Sequence, residues 1–343
     1  MTSKLLPLLS LADLEHGPGA GLLETTIAQG FSPAVARAGL QAEFDAWQMP
    51  GAVAAVLGEL PDSLDPKRKP ATVLVIAART LPASALRAVL MARLLGARVL
   101  LKPASGQPSL AMAMADADPG VTALPFGSED RVALDAAIAQ ADAVVVLGSD
   151  AAVASVRQAT PRSKPCVGYG HRVSAAWLET PDDAALLGLA EDLCAWDQAG
   201  CLSPQVLWTN EPASVGPRLA EALRTVERRM PMTLPPDATH ARMTARTRAE
   251  MLGNVWTTET AIVAALTDPC FRPSPGYRFL WVLPADEAAR TAATPILSTV
   301  ATDAPLALPE GIRQCRPGQM QRPPLTWRHD GEANLLPMLR GKR

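Results

Sequence analysis

Short apolar runs alternate with amphipathic segments along the middle of the chain. Residues 72–78 (Thr-Val-Leu-Val-Ile-Ala-Ala) are apolar and rich in β-branched side chains, which is typical of a strand covered on both faces in a parallel sheet. Residues 83–95 then carry leucine and valine at helical spacing, and Gly96 predicts the end of that helix before an apolar run at 97–101. This order predicts one strand–helix–strand unit.

The same order is repeated further along the chain. The pattern predicts a helix at roughly 131–141, a strand at 143–147 and another helix capped by Asp150. Repeated units of this kind predict a doubly wound α/β sheet of the Rossmann type.

The second half of the chain predicts a further α/β layer system. A helix is expected to start at residues 180–183 (Thr-Pro-Asp-Asp) and to run toward Trp196. An apolar segment follows at 205–208, then a long amphipathic helix near 212–229 and a strand at 279–283. The closing stretch, residues 318–331, is expected to be extended and rich in turns.

Composition narrows the class of partner. The formal net charge is -2, so no broad electrostatic field favours nucleic acid or an anionic membrane. No apolar stretch reaches the length of a membrane-spanning helix. The start of the chain is read as mature protein, because it shows no small-residue cleavage site. The five cysteines form no CxxC pair and suit a reducing, cytoplasmic environment, and a small-molecule partner is expected.

Cys201 lies in a small polar turn between a predicted helix and a predicted strand. The turn, residues 197–205, reads Asp-Gln-Ala-Gly-Cys-Leu-Ser-Pro-Gln. A thiolate in such a turn is accessible to substrate and is a strong nucleophile toward thioesters. A small semi-buried structural cysteine is the alternative explanation.

From about residue 70 to its end, the chain resembles the LuxC-type fatty acyl-CoA reductases, a branch of the aldehyde dehydrogenase superfamily. The resemblance depends on residues 167–174 (Val-Gly-Tyr-Gly-His-Arg-Val-Ser) together with the turn at 197–205. Residues 102–105 (Lys-Pro-Ala-Ser), 272–278 (Arg-Pro-Ser-Pro-Gly-Tyr-Arg) and 327–331 (Trp-Arg-His-Asp-Gly) agree in order and spacing.

The resemblance implies an aldehyde-dehydrogenase-like fold, a Rossmann-type cofactor domain plus an α/β catalytic domain. It divides the chain into a shortened N-terminal region (1–70), a nicotinamide cofactor-binding domain (71–174), a catalytic domain (175–315) and an extended C-terminal segment (316–343). It also implies that Cys201 attacks an acyl thioester, after which NADPH reduces the acyl-enzyme to an aldehyde.

Five residues are implied to bind the cofactor. Lys102 matches the superfamily lysine on the adenosine ribose, and Ser105 falls where NAD-preferring relatives often carry glutamate, which favours NADPH because a carboxylate would repel a ribose phosphate. Gly148 and Ser149 match a Gly-Ser turn at a helix amino terminus. Arg172 is a candidate for cofactor phosphate or CoA. A strand-end surface lysine, a plain helix cap and an ion-pair arginine are the structural alternatives.

The block around His171 lacks the carboxylate with which hydrolytic aldehyde dehydrogenases activate water. Its absence fits an enzyme that protects its thioester until hydride arrives. His171 is a candidate to stabilise the Cys201 thiolate or to protonate the oxyanion, with a structural histidine as the alternative.

Thr80 marks a departure from the family. Members usually carry a Gly-Asn pair where this chain has Arg79 and Thr80, and that asparagine supplies half of the superfamily's oxyanion hole. The Thr80 hydroxyl is the candidate substitute. The departure keeps two alternatives open: an acyltransferase or thioesterase using Cys201, and a non-catalytic homologue that binds an acyl thioester or a partner enzyme.

The expected partners are acyl-CoA or an acyl carrier protein thioester. A homo-oligomer, or a complex with an acyl-transfer enzyme, is expected from the family resemblance alone, and no metal is implied.

Overall fold

A computed structural model describes residues 6–81, 84–105 and 107–341. Backbone contacts divide the chain into two compact units. The first unit contains the described residues of Met1–Gln29, Glu43–His171 and Pro324–Arg343, and the second contains Gly30–Ala42 and Arg172–Pro323.

The first unit is built on a five-stranded parallel sheet. Its strands are β1 (Thr72–Ile76), β2 (Arg98–Lys102), β3 (Val121–Ala123), β4 (Ala143–Leu147) and β5 (Cys166–Tyr169). The order β3-β2-β1-β4-β5 reverses direction between β1 and β4, as in a doubly wound sheet. Each pair is parallel because the chain crosses over through a helix between strands.

The helices of this unit include the three that the sequence predicts, at 83–95, at 131–141 and directly after β4. The helices are α1 (Leu6–Leu9), α2 (Gly17–Ala28), the end of α3 (Pro33–Gln48), α4 (Ala52–Leu57), α5 (Ser84–Leu94), α6 (Pro108–Ala117), α7 (Arg131–Gln140) and α8 (Asp150–Ala159). Alternate side chains of β1 and β4 point to the face covered by α7 and α8, where Leu74, Val144 and Val146 pack against Leu134 and Val153. This burial on the sheet face explains the uninterrupted apolarity of the strands.

The N-cap prediction for α8 is wrong by one residue. Ser149 has extended backbone angles, and its hydroxyl accepts the Ala152 N–H at 3.2 Å. Asp150 is the first helical residue, and its carboxylate accepts a backbone N–H from another segment. The Ser149 hydroxyl therefore takes the capping role that the sequence assigned to the carboxylate.

The second unit is built on a seven-stranded sheet of order β12-β11-β6-β7-β10-β9-β8. The strands are β6 (Val173–Trp177), β7 (Pro204–Thr209), β8 (Gly253–Thr257), β9 (Ile262–Leu266), β10 (Phe279–Pro284), β11 (Leu297–Thr302) and β12 (Arg313–Cys315). The edge strand β8 is antiparallel to β9, and the other pairs are parallel.

Both faces of this sheet are buried. The helices are the start of α3, α9 (Asp183–Cys194), α10 (Pro212–Glu227), α11 (Pro236–Leu252) and α12 (Glu287–Ala293). One face packs on α9 and α10 through Leu193 and Leu219, and the other contacts α11 and α12 through Ala249 and Ala293. Two covered faces account for the apolar runs predicted at 205–208 and 279–283.

The predicted start of α9, residues 180–183, includes the observed one, but the N-cap lies two residues after Thr180. Asp182 is the N-cap, because its carboxylate accepts the Ala185 N–H at 2.7 Å and Pro181 lies before the helix. The segment after α9, Ala195–Gln198, is a turn in which Trp196 and Asp197 have left-handed backbone angles, rather than the end of the α-helix.

The two ends of the chain are organised differently. The described part of residues 1–70 packs within the two units rather than forming a module of its own. The C-terminal segment is turn-rich, with short 3₁₀ turns at His329–Gly331 and Leu336–Met338. Among the described residues, no helix is both long enough and apolar enough to cross a membrane.

Candidate active site

Cys201 lies in a tight turn at the amino edge of the second sheet. The Ser203 N–H donates to the Gly200 carbonyl at 3.0 Å, which closes a turn with Cys201 at its second position. The Ser174 hydroxyl, from β6, donates to the Cys201 carbonyl at 2.7 Å. The half-buried Cys201 therefore has its backbone fixed from both sides, directly before β7.

The backbone leading to this turn is strained. Trp196, Asp197 and Gln198 have φ values of 52°, 50° and 64°, in the left-handed region that side chains disfavour. Each such residue costs about 1–2 kcal/mol and persists where surrounding contacts outweigh the cost.

Aromatic packing anchors the start of the strained segment. The Trp196 ring lies edge-on to Phe31, with centroids 5.4 Å apart. It also lies against Gly39 of α3, where a Cβ atom would come within 2.2 Å of the ring. Glycine at position 39 is therefore required by this close approach.

Two buried polar side chains hold the rest of the segment. The Arg278 guanidinium donates to the Asp197 carboxylate from Nε at 3.1 Å and from Nη2 at 2.5 Å. The Gln198 amide donates to the Pro204 and Phe279 carbonyls at 2.7 and 2.8 Å, and its oxygen accepts the Phe279 N–H at 2.9 Å. The segment before Cys201 is thereby tied to the start of β10.

The other four cysteines are poorly suited to act as thiolates. All five cysteines are thiols rather than disulfides. Burial raises the pKa of Cys194 to about 12 and that of Cys315 to about 11, and burial also raises the pKa of Cys166. Asp268 raises the pKa of the exposed Cys270, first by a hydrogen bond and then by its charge. A nucleophile must be a thiolate, so these positions are disfavoured.

Lys102 and Ser105 come together at the carboxyl edge of the first sheet. The Lys102 ammonium group donates to the Pro103 carbonyl at 3.2 Å and lies 3.5 Å from the Ser128 hydroxyl. The Ser105 and Ser128 hydroxyls are 2.8 Å apart, and Ser105 also accepts the Ser128 N–H at 3.0 Å. Burial lowers the pKa of Lys102, and the charge of Glu129 opposes that shift.

Sequence reasoning missed Ser128. It lies in the loop after β3, in residues 126–131 (Phe-Gly-Ser-Glu-Asp-Arg), where no motif distinguishes it from an ordinary polar loop residue. The signal that was available is topological, since β3 neighbours β2 and the loop after β3 reaches the same sheet edge as Ser105.

The Gly148–Ser149 turn follows β4 at this edge, with the α8 N-terminus directly after it. The Gly148 N–H donates to the Tyr169 carbonyl at 3.1 Å, which ties the turn to β5. Asp150 accepts the His171 N–H at 2.8 Å, and a Cβ atom at Gly170 would lie 2.2 Å from the same carboxylate oxygen. Asp150 therefore fixes the backbone of the block that carries His171, whose ring is exposed.

Thr80 and Arg172 have different surroundings. Thr80 is exposed in the connection between β1 and α5, and its hydroxyl makes no hydrogen bond to the described residues. The Arg172 guanidinium donates to the Pro295 carbonyl within the second unit. These surroundings leave the Thr80 hydroxyl available to a ligand and commit part of the Arg172 side chain to a structural contact.

A second cluster in the first unit was not identified from the sequence. The His329 ring stacks on Tyr169 at a centroid distance of 4.2 Å and on Trp327 at 4.8 Å. Arg87 lies over Trp327 and pairs with Glu43 at 3.1 Å. Burial strongly raises the pKa of Tyr169, with the nearby Asp330 charge as the next cause.

This aromatic cluster borders a cavity of about 30 Å³, whose lining includes Ser84, Tyr169 and His329. That volume holds a water molecule and is too small for a nicotinamide or an acyl chain. Within the described residues, no group of three or more His, Cys, Asp or Glu side chains is arranged to hold a metal ion.

Comparison with known families gives one match that spans most of the chain. Residues 64–341 match the family model described as Acyl-CoA reductase (LuxC). A search of curated proteins gives no match.

Solved structures similar to this chain are aldehyde dehydrogenases. The NAD-dependent benzaldehyde dehydrogenase from Corynebacterium glutamicum has a TM-score of 0.67 at 16% identity, covering 93% of this chain and 83% of its own. The substrate-bound AldH of Staphylococcus aureus has a TM-score of 0.68 at 12% identity, covering 99% and 88%. The NADP-dependent glyceraldehyde-3-phosphate dehydrogenase from Bacillus halodurans has a TM-score of 0.65 at 13% identity, covering 91% and 78%. The expected aldehyde-dehydrogenase-like α/β fold is confirmed.

Proposed function

The chain belongs to the LuxC family of acyl-CoA reductases, and on that basis we propose that it reduces an acyl thioester to an aldehyde with NADPH, through an acyl group carried by Cys201. Family and fold together make it an oxidoreductase acting on acyl or aldehyde groups. The observation that most directly supports a role for Cys201 in this reaction is its turn, which is held by Ser174 and preceded by a strained segment.

The reaction has two halves, both at the Cys201 sulfur. The thiolate attacks the thioester carbonyl carbon, and the carrier thiolate leaves as its C–S bond breaks. The exchange replaces one thioester by another and is nearly isoenergetic. Addition of hydride to the acyl carbon and cleavage of the bond to Cys201 then release the aldehyde and regenerate the thiolate.

Oxyanion stabilisation is assigned to two donors, the Cys201 backbone N–H and the Thr80 hydroxyl. Such donors act on charge that develops in the transition state. His171 is assigned to stabilise the thiolate or to protonate the oxyanion, and its exposed ring is accessible for either role.

Hydrolysis of the acyl-enzyme must be slower than hydride transfer if the acyl group is to be reduced. Residues 166–172 (Cys-Val-Gly-Tyr-Gly-His-Arg) contain no carboxylate. Asp150 brings a carboxylate against Gly170, but one of its oxygens is engaged by the His171 N–H. Residues 166–172 themselves therefore supply no base of the kind that activates water.

The residues at the first sheet edge fit a phosphorylated ribose. NADPH supplies the hydride when bound. The Lys102 ammonium group and the paired hydroxyls of Ser105 and Ser128 offer a cation and two hydroxyl donors, the groups that suit a phosphate. Gly148 and Ser149 would accommodate the diphosphate at the amino end of α8, and Arg172 is the further proposed contact to a cofactor phosphate or to CoA.

The proposed acyl donors are acyl-CoA and acyl carrier protein thioesters, in the cytoplasm. Assembly as a homo-oligomer, or with an enzyme that passes on the acyl group, is part of the same proposal. An acyltransferase or thioesterase with the same nucleophile is the second candidate. It is favoured by Thr80, an exposed hydroxyl where the family carries an amide.

The decisive experiment combines an acyl-CoA series with NADPH and trapped aldehyde. Wild-type protein is expected to consume one NADPH per aldehyde. Cys201→Ala is expected to lose at least about 10⁴-fold in turnover, because the covalent route is removed. Cys270→Ala, which removes an exposed thiol elsewhere, is the matched control and keeps full activity.

Three outcomes would contradict the proposal. Acylation of Cys201 without NADPH consumption would make the protein an acyltransferase or thioesterase. Absence of both, with CoA and carrier-bound substrates alike, would indicate a binding protein. Aldehyde formation by Cys201→Ala at the wild-type rate would remove Cys201 from the mechanism.

A further inference from the structure

Backbone strain in this protein is concentrated around one ion pair. Of the six non-glycine residues with positive φ among those described, five lie in two segments: 196–198 and Tyr277–Arg278. The two segments meet where Arg278 binds Asp197. At about 1–2 kcal/mol per residue, the strain is a substantial cost for a domain of ordinary stability.

The ion pair is buried. The Arg278 side chain is 0% exposed and that of Asp197 is 8% exposed. Besides its two bonds to Asp197, the guanidinium donates to the Thr260 hydroxyl at 3.0 Å and to the Cys194 carbonyl at 3.4 Å. Its position is therefore fixed by α9, the strained segment and the turn before β9.

Thr260 connects the pair to a second buried carboxylate. The Thr260 hydroxyl accepts from Arg278 and donates to Glu227 at 2.6 Å. Glu227 also accepts the Thr258 hydroxyl at 2.5 Å and the Thr260 N–H at 3.0 Å. Arg242 donates to the Thr260 carbonyl at 2.8 Å, so two cations and two carboxylates are linked around one threonine.

Stability does not explain this arrangement. A buried ion pair is often no more stabilising than apolar residues of the same volume, because desolvating two charges costs several kcal/mol. Combining such a pair with five strained residues adds the free-energy cost of backbone strain to the cost of desolvation. Arrangements of this kind are retained where a particular geometry is required.

We propose that Arg278 is a positioning residue for Cys201, acting through Asp197, with Thr260 and Glu227 holding the guanidinium in register. The proposal deepens the proposed function and rests on it. Asp197 lies four residues before Cys201, and the strained segment between α9 and the Cys201 turn has no other buried charge partner within the described part of the chain. Arg278 thus fixes where the nucleophile turn begins, and Ser174 fixes where it ends.

The test compares variants of the network with a matched pair elsewhere. Asp197→Asn removes the charge and keeps the shape. Thr260→Val removes the linking hydroxyl, and Thr260→Ser retains it. Asp118→Asn is the control, because Asp118 is 1% exposed and binds Arg93 through two bonds of 2.8 and 3.2 Å, within the first unit.

Two quantities are measured on each folded variant. The first is the rate of Cys201 alkylation by iodoacetamide from pH 6 to 9.5, followed by peptide mass spectrometry with Cys270 as internal reference. The second is kcat and KM with acyl-CoA and NADPH. Asp197→Asn is expected to lower kcat by about 10²-fold with KM nearly unchanged, since a misplaced nucleophile affects chemistry rather than binding.

Asp197→Asn and Thr260→Val are both expected to change the rate of Cys201 alkylation relative to wild type, and Thr260→Ser is expected to restore it. Asp118→Asn should lose thermal stability without changing either quantity. Equal alkylation profiles and kcat values for Asp197→Asn and Asp118→Asn would overturn the proposal. If Asp197→Asn does not fold, identical behaviour of the two Thr260 variants would overturn it.

Failure of the proposed function would look different. If wild-type protein forms no acyl group on Cys201, the reductase proposal fails, while the alkylation comparison still reports whether Arg278 positions the thiol. If wild-type protein makes aldehyde and the variants match it, the positioning proposal alone is overturned.

Discussion

The two sheets of this protein carry their chemistry at opposite kinds of edge. In the first unit the candidate residues follow the carboxyl ends of β1, β2 and β4, and most are exposed, including Thr80, Ser105 and Ser149. In the second unit Cys201 precedes β7 at an amino edge, and Asp197 and Arg278, the proposed supports of its turn, are buried. A cofactor must enter and leave, whereas a nucleophile must be held in place.

This contrast assigns different energetics to the two edges. Exposed hydroxyls and backbone donors make few internal contacts compared with buried charges, so substitutions there should alter affinity more than stability. Buried charges hold a strained backbone, so substitutions there should alter rate and stability together. Variants at Thr80 and Ser105 test this expectation for the first unit, and variants at Asp192 and Thr299 test it for the second.

Apart from loss of Cys201 itself, the largest effect is expected at Thr80. If its hydroxyl is an oxyanion donor, Thr80→Val lowers kcat by about 10²–10³-fold with little change in KM. Thr80→Asn, which restores the amide typical of the family, should equal or exceed wild-type kcat. Steady-state kinetics with acyl-CoA and NADPH measure both, and melting temperatures should stay unchanged because Thr80 is exposed. A Thr80→Val enzyme with wild-type kcat would assign the oxyanion to other donors.

How far the sequence predicts this molecule depends on whether a feature is local. The strands at 72–76 and 143–147 were predicted to within two residues, because their apolar runs reflect burial on both faces. Helix boundaries were predicted less accurately than these strands. Ser149 and Asp182 cap helices where the sequence suggested neighbouring polar residues, since adjacent serines, threonines and aspartates all satisfy the capping pattern.

Long-range contacts were beyond sequence reasoning. Nothing local marks Arg278 as the partner of Asp197, 81 residues away. The stacking of His329 on Tyr169 likewise depends on tertiary contact. Ser128 joins Ser105 because β3 neighbours β2, which requires the strand order. Motif resemblance pointed to the loop that carries Cys201, the candidate nucleophile, but not to the contacts that hold this loop in place.

The second largest effect concerns Asp192, a buried carboxyl behind the nucleophile turn. It accepts the Gly318 and Met320 N–H groups at 2.6 and 2.9 Å, and the adjacent Gln321 amide donates to the Ser203 hydroxyl at 3.0 Å. Burial raises the pKa of Asp192 from 3.8 to about 7, although these backbone donors oppose the shift. Between about pH 4 and pH 7 the folded protein therefore binds a proton that the unfolded chain has released.

The free energy of unfolding should consequently fall as the pH rises toward 7. Between pH 5 and 7 the decrease attributable to Asp192 is on the order of 2 kcal/mol, about 30-fold in the unfolding equilibrium. Urea titrations of wild type and Asp192→Asn across this range isolate it, because all other groups are common to both. Parallel curves for the two proteins would show that Asp192 stays ionised in the folded state.

A smaller effect, on cofactor choice, is expected at the first edge. Ser105→Glu places a carboxylate beside Lys102 and the Ser128 hydroxyl, where it would repel a ribose phosphate and accept a ribose hydroxyl. KM for NADPH should rise by about tenfold relative to KM for NADH. Ser105→Ala is the control and should change the ratio far less. Equal ratios for the Glu variant and wild type would remove position 105 from cofactor discrimination.

The smallest effect is a gain in stability within the second sheet. Thr299 of β11 is 0% exposed, and its hydroxyl has no hydrogen-bond partner among the described residues. Thr299→Val replaces that hydroxyl with a methyl group of similar size, and the free energy of unfolding should rise by about 1 kcal/mol.

The matched control for Thr299 lies in the same strand. The buried Thr302 hydroxyl donates to the Ala304 carbonyl at 2.7 Å, so Thr302→Val should lower the free energy of unfolding by about 1 kcal/mol. Thr299 pairs in register with Ser174, the residue that holds the Cys201 carbonyl. The contrasting outcome is that Thr299→Val lowers kcat while it raises the free energy of unfolding. That result would show that the Thr299 hydroxyl supports the sheet edge that carries Cys201 and is retained there at the expense of stability.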